Sequence, residues 1–359
     1  MSRFRWGIFG TGAISAKFIA GLATARDAEA TFVASRSAER AQAFAKGAGV
    51  SQAIGGYAEA AKSGGVDAIY IATPPSHHVE HALMCIEAGI PVLVEKPFAS
   101  SAADAERIAA AALARGVFAM EAMWTRFLPA AQALRDRLKG GVIGTPRLMS
   151  GSFGISQVPD PANGIFDAAL GGGAVAHLGA YPLSLGQWLF GTPDVVQAMG
   201  TIGVGGAEDE ATFQLHYPDA DVRASCFVSL RAWAHDNFDI MGSEGMIGFR
   251  GSIVRPFGIE IANQSPRGAD VADFGFKSRL RQNAFVHQVA QRLGRTSRSG
   301  AAHESHLYAG NGYHYEADEV RNCIARGAIE SGEMPLDDSI AVARTADAIT
   351  QAIRGRLQA

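Results

Sequence analysis

The first 120 residues alternate short apolar runs with helical patterns, and that rhythm restricts the possible folds more than any other feature. RWGIFG (5–10), TFVASR (31–36), VDAIYIATP (66–74), PVLVEK (91–96) and VFAME (117–121) read as strands. Helical patterns stand between them at 14–25, 37–49, 78–88 and 101–115. Short buried strands alternating with helices give a parallel sheet covered on both faces. Right-handed crossovers make such a sheet doubly wound.

The rhythm changes after residue 122. DEATFQLHYPDADVRASCFVSL (209–230) alternates with period two on both sides of a Pro-Asp-Ala-Asp turn, which predicts an antiparallel hairpin with one buried face. Further strands are expected at 146–155, 194–203, 236–242 and 245–249. Helices are expected at 128–139, 174–190, 312–326 and 338–354, the last with Asp337 or Asp338 as its N-cap. The second half is therefore α+β, with a large, open and mostly antiparallel sheet. The chain has 359 residues, more than one core usually serves. The expected division is 1–122 and 123–359, with the last helix packing back on the first domain. An open sheet needs covering, and a second copy of the chain is the expected cover, giving a homodimer or homotetramer.

Charge and cysteine usage narrow the function classes. The net charge of −3 gives no reason to expect nucleic acid or an anionic membrane as partner. Segment 277–298 is basic and helix-compatible, but Phe285 is the one aromatic in it, so a solvated helix is the reading. Cys85, Cys226 and Cys323 have neither metal-ligand spacing nor a disulfide framework and suit a reducing cytosol. The N-terminus runs straight into a strand, without an apolar signal core, and no run is long enough to span a bilayer. The expected location is cytoplasmic, and no metal is expected.

Gly10-Thr11-Gly12-Ala13-Ile14-Ser15 lies between the first strand and the first helix. The first glycine allows a tight turn. The second lets backbone approach a pyrophosphate, which the helix N-terminus then attracts. The strand–helix–strand context makes this a dinucleotide site. An NAD site usually has an acid at the end of the second strand. Here the residues are Ser35, Arg36 and Ser37, with Arg40 one turn on. A hydroxyl and guanidinium groups suit a 2′-phosphate, which favours NADP over NAD.

Ligands of open α/β sheets lie beyond the carboxyl ends of the strands. Two such ends carry polar clusters, Thr73-Pro74-Pro75-Ser76-His77-His78 and Glu95-Lys96-Pro97. A lysine there hydrogen-bonds a substrate oxygen and favours the alkoxide that forms as hydride leaves. Glu95 is expected to help hold it. Pro97 restricts Lys96 to extended backbone, and Lys96–Pro97 is the kind of bond where a cis peptide is expected first.

Taken with GIFGTGAIS, IATPPSHHVEHALMCIEAGIPVLVEKPFA, FAMEAMWTRFLPA, GGGAVAHLGAYP and AGNGYHYEADEVRNCIARGAIESGEMPLDDS, these motifs resemble the Gfo/Idh/MocA oxidoreductase family. The nearest branch holds dimeric dihydrodiol dehydrogenases and NADP-dependent D-xylose dehydrogenases. The resemblance leaves roughly 263–305 outside it. It implies a Rossmann domain followed by a substrate domain. It implies that Lys96 is the active-site lysine and Tyr181 the acid/base. Trp124 and Phe153 line the substrate pocket, Arg126 occupies a recurring substrate-side position, and His78 lies near the cofactor. The family's usual aspartate is replaced by His177, which leaves three readings: a substitute polar or acid/base residue, a different substrate, or weak or absent dehydrogenase activity. The implied function is hydride transfer between NADP and a secondary alcohol of a sugar or cyclic diol. The alternatives are a redox-neutral lyase, epimerase or glycosidase that retains its cofactor, and a non-catalytic NADP- or sugar-binding regulator.

Overall fold

A computed structural model describes residues 3–160, 162–264 and 301–357. The basic segment 277–298 lies outside the described residues. Strands β1 (Phe4–Phe9), β2 (Ala28–Ser35), β3 (Gln52–Gly55), β4 (Ala68–Ile71), β5 (Val92–Glu95) and β6 (Ala119–Ala122) form one sheet in the order β3-β2-β1-β4-β5-β6. Every pairing in it is parallel. This is the strand order of a doubly wound dinucleotide fold, with its switch point between β1 and β4. The helices α1 (Ala13–Leu22), α2 (Ala38–Ala48), α3 (Tyr57–Lys62), α4 (His78–Glu87) and α5 (Ala102–Arg115) supply the crossovers.

Alternate residues of the strands serve two cores. Ile69, Ile71, Val92 and Val94 pack with Cys85 and Ile86 of α4 and with Ile108 and Ala112 of α5. Ala68, Tyr70 and Leu93 face the other way, onto Phe18 and Leu22 of α1, in a core that continues into the second half of the chain. Strand β3 and helix α3 are not anticipated by the sequence pattern. Gln52-Ala53-Ile54-Gly55 is short and half exposed, so it carries almost no apolar signal.

The second sheet has eight strands in the order β14-β13-β12-β11-β7-β10-β9-β8. They are β7 (Pro146–Gly154), β8 (Asp194–Ile202), β9 (Glu208–Tyr217), β10 (Val222–Ser229), β11 (Phe238–Gly242), β12 (Gly245–Gly251), β13 (Pro256–Asn263) and β14 (Ala301–Ser305). All pairings are antiparallel except β7 with β10. In the expected hairpin, Tyr217 pairs with Val222 and Phe213 with Cys226, and these side chains share one buried face. The opposite face leaves Leu148, Met199 and Phe227 exposed. Strands β13 and β14 are not among the strands expected from the sequence.

Helices α6 (Pro129–Lys139), α7 (Ala180–Phe190), α8 (Tyr313–Ala325) and α9 (Leu336–Leu357) complete the fold. Helix α9 contacts α5 and β6 as well as α7 and β8, so it lies against both sheets. It begins at Leu336, which puts Asp337 and Asp338 in its first turn rather than at its cap. The expected helix 174–190 is two elements: Val175–Gly179 forms a π-helical turn before α7. Such wide turns often mark functional sites. No helix among the described residues is long and apolar enough to cross a membrane.

Candidate active site

Two cavities meet beyond the carboxyl ends of β1, β4 and β5. The larger, about 970 Å³, runs along the glycine loop and the end of β2. The other, about 590 Å³, lies between the two sheets. Ile14, Ala72, Thr73, Pro75 and His177 line both, so the cavities adjoin.

The larger cavity takes its shape from backbone. Gly10 has φ +107°, and a Cβ there would stand 2.5 Å from the carbonyl oxygen of Ala72, the residue that follows β4. Gly10 thus lets β1 and β4 approach at the switch point. Gly12 is the extended N-cap of α1, has no side-chain cap, and would project a Cβ into open space. The first N–H groups of α1 are left for a ligand. Thr11, Ala13, Ile14, Ser35, Arg36, Arg40, Thr73 and Pro74 also line this cavity. Arg36 and Arg40 are exposed, and neither makes an ion pair among the described residues. Glu39 is the first acid after β2 in sequence, and the Ser37 hydroxyl donates to its Oε2 at 2.6 Å and holds its carboxyl below the usual range. An open glycine loop at an uncapped helix N-terminus fits the pyrophosphate of a dinucleotide.

The smaller cavity is built from side chains carried by remote segments. Lys96 follows β5 and is joined to Pro97 by a cis peptide bond. Its Nζ donates to the backbone carbonyl of His177 at 2.9 Å and stands 5.1 Å from the centre of the Tyr181 ring. Glu95 does not pair with that ammonium directly. Its Oε2 accepts the Lys96 backbone N–H at 3.0 Å, and its Oε1 accepts the Tyr70 hydroxyl. Burial pushes the Glu95 carboxyl up, against the pull of Lys96. Glu95 thus holds the lysine through its backbone.

His78 is buried at the start of α4, with Nε2 2.8 Å from the Thr73 carbonyl oxygen and Nδ1 2.9 Å from that of Pro97. Burial lowers its pKa to about 4, so it is neutral and donates to one carbonyl at a time. It ties the end of β4 to the turn after β5. Thr73 Oγ1 lies 3.0 Å from His81 Nδ1, and burial likewise takes His81 down to about 4.

His177 sits on the π-helical turn. Burial first, then the charge of Lys96, lower its pKa to about 3. An imidazole so reluctant to take a proton is a poor general base at neutral pH. Of the expected roles, this favours a polar residue over a general base: neutral His177 has an enclosed Nε2 without a partner among the described residues. Its backbone, not its side chain, holds Lys96.

Trp124 and Phe153 line the cavity as expected. Trp124 stacks on Tyr313 at 4.5 Å and 5°, and Phe153 meets Tyr181 edge-on at 5.6 Å. Two expected residues are elsewhere. Arg126 is wholly buried and lines neither cavity: its guanidinium donates to Asp338 at 2.6 Å, to the Ser184 hydroxyl at 2.8 Å and carbonyl at 2.6 Å, and to the Glu333 carbonyl at 3.1 Å. The 3₁₀ turn Trp124–Phe127 sends Trp124 to the cavity and Arg126 toward α7 and α9. Pro97 lines a separate small cavity behind the turn instead of the cofactor cleft.

The sequence reading missed another wall. Lys17 of α1, Ser252, Val254, Arg255, Asn311 and Tyr313 all line the smaller cavity. Asn311 Nδ2 donates to the Lys17 carbonyl at 2.7 Å, and Arg255 Nη2 to the Gly310 carbonyl at 2.9 Å. These bonds join the loop before α8 to the first helix and to the β12–β13 turn. The Gly310-Asn311-Gly312 turn signal before Tyr313 was the available clue.

Comparison with known proteins accords with this geometry. Residues 4–123 match a family profile described as an oxidoreductase family with an NAD-binding Rossmann fold. Residues 131–248 match the GFO/IDH/MocA C-terminal domain. Trans-1,2-dihydrobenzene-1,2-diol dehydrogenase of Bos taurus is 31% identical over 357 residues, covering 97% of this chain and 96% of the relative. The Homo sapiens enzyme of that name is 30% identical over 356 residues, with the same coverage. Among solved structures, aldose-aldose oxidoreductase from Caulobacter crescentus superposes with a TM-score of 0.80 at 21% identity, over 99% of this chain and 98% of that one. A 3-ketoreductase from Actinomadura kijaniata, solved with NADP and TDP-benzene, gives 0.80 at 23% identity over 98% of each chain.

Proposed function

This chain belongs to the Gfo/Idh/MocA oxidoreductase family, and from that premise we propose that it is an NADP-dependent dehydrogenase or reductase. Its substrate is a secondary alcohol, or the matching carbonyl, of a cyclic diol or sugar. The observation that carries the reading is the meeting of Lys96 and Tyr181 where a dinucleotide-shaped cleft opens into a second cavity. When bound, the nicotinamide accepts or gives the hydride. The glycine loop and the N-terminus of α1 hold the pyrophosphate, and Arg36 and Arg40 hold the 2′-phosphate that distinguishes NADP.

The chain's own groups handle the proton and the charge. Lys96 Nζ donates to the substrate oxygen, and its positive charge favours the alkoxide. In the oxidation direction Tyr181 Oη, as the phenolate, takes the hydroxyl proton, and in reduction the phenol gives it back. Trp124 and Phe153 pack against the faces of the substrate ring, which suits a flat or cyclic diol. The relatives named for dihydrodiol dehydrogenation add to that preference.

The test is a screen of NADP and NAD with trans-cyclic diols, pentoses, hexoses and inositols, run in both directions at the nicotinamide absorbance band. Turnover of a cyclic diol or sugar with NADP is the expected result. Saturable binding of NADP without turnover of any member would overturn the reading. The open face of the eight-stranded sheet, with Leu148, Met199 and Phe227 exposed, supports a second copy of this chain as its cover. Sedimentation would then report a dimer that Phe227→Glu dissociates.

A further inference from the structure

The turn that carries Lys96 has two backbone N–H groups, because Pro97 has none. Both are taken by buried carboxylates from different strands. On the near side, Glu95 Oε2 accepts the Lys96 N–H at 3.0 Å. On the far side, Glu121 Oε1 accepts the Phe98 N–H at 3.1 Å. Glu121 lies on β6, paired in register with Val94 of β5, and is 2% exposed. The Pro97 carbonyl faces His78 Nδ1. The turn is therefore held by side chains from three elements at the peptide units on either side of the Lys96–Pro97 bond.

We propose that Glu121 is a positioning residue for Lys96: by holding Phe98 it fixes the back of the turn and so sets where the ammonium stands. The inference rests on the proposed role of Lys96. Glu121 touches neither cavity of the active site, so it acts through the turn. An acid in this place is costly, which argues that it is there for its acceptor oxygen. Its Oε2 has no partner among the described residues and borders a cavity of about 150 Å³. Charged Glu208, Asp347 and Arg354 and the Ser339 hydroxyl border the same space. Burial pushes the Glu121 carboxyl up to about 7, against the pull of Ser339 and Arg126, and the charge of Glu95 adds to the rise. An apolar side chain would fill the space at less cost but would strand a buried N–H.

The test compares Glu121→Ala with Glu121→Gln, whose side-chain oxygen still accepts from Phe98. Loss of the clamp misplaces the ammonium, so Glu121→Ala should lower kcat by about 10²-fold with the KM for NADP unchanged. Glu121→Gln should remain within about threefold of wild type, because a neutral acceptor replaces a charged one. Wild-type kcat in Glu121→Ala overturns the inference, as does equal damage in both variants. If Glu121→Ala does not fold, an inactive Glu121→Gln overturns it.

A readout that needs no turnover separates this inference from the proposed function. The ¹³C resonance of reductively methylated Lys96, assigned by its loss in Lys96→Met, should shift in Glu121→Ala and stay in place in Glu121→Gln. An unmoved resonance in Glu121→Ala, or a shift of the same size in both variants, overturns the positioning role. Wild-type turnover by Lys96→Met would instead overturn the proposed chemistry and leave the clamp standing.

Discussion

The nucleotide cleft and the reaction cavity share five residues but are made in different ways. The phosphate end of the cleft is built from backbone: two glycines, an uncapped helix end and strand termini that follow one another within the first 75 residues, while its far wall comes from Asn163, Ile165, Leu170 and His177. The reaction cavity is mostly side chain. Its walls come from α1, β5, the 3₁₀ turn at Trp124, β7, the π-helical turn, the β12–β13 turn and the loop before α8. The cleft tolerates side-chain change wherever the peptide path survives. The reaction cavity depends on single groups, each fixed by partners distant in sequence.

The sharpest test of that contrast is Lys96→Ala. Removing the cation beside the developing alkoxide should cost about 10³-fold in turnover, while NADP affinity measured by nicotinamide fluorescence stays nearly constant. A parallel loss of affinity would erase the distinction. Tyr181→Phe comes next, at about 10²-fold in kcat, again without change in nucleotide binding. A variant as active as wild type would remove Tyr181 from the proton path.

The opposite side of the comparison is probed by Arg36→Ala with Arg40→Ala. Affinity for NADP should fall about tenfold, as charge-assisted bonds to the 2′-phosphate are lost, and affinity for NAD should not. Titration calorimetry with both nucleotides decides it, and equal effects on the two would remove the arginines from 2′-phosphate recognition. The smallest effect expected is on stability. His78 and His81 carry pKa values of about 4, and an unfolded histidine titrates near 6.5. The unfolded chain thus binds protons that the native one refuses. Stability is complete above pH 6.5 and declines as the pH falls toward 4, by about 1 kcal/mol per histidine at pH 5.5. Urea unfolding at pH 7.5 and 5.5 measures this, and equal midpoints would mean that neither imidazole is held neutral.

Legibility from sequence follows the same division. Gly10, Gly12, Ser35 and Arg36 were readable because they punctuate one strand–helix–strand unit. Lys96 was readable because charge follows a buried Val-Leu-Val run at a strand end. Arg126 was misplaced, since a resemblance identifies a position in a motif but not its direction. Two residues along a 3₁₀ turn were enough to send it to Asp338 instead of the cavity. Lys17, Arg255 and Tyr313 escaped notice because three remote segments meet only in the folded chain. The π-helical turn was also hidden, since its apolar pattern matches an ordinary helix. Its consequence is large, because the carbonyl that receives Lys96 belongs to it.

The five residues common to both cavities also bear on the order of events. A dinucleotide seated in the cleft would complete the floor of the reaction cavity, and a substrate arriving first would meet a chamber open on that side. On the proposed function, steady-state kinetics should therefore be ordered, with nucleotide first on and last off. The oxidised product would leave while the reduced nucleotide still closes the chamber beneath it.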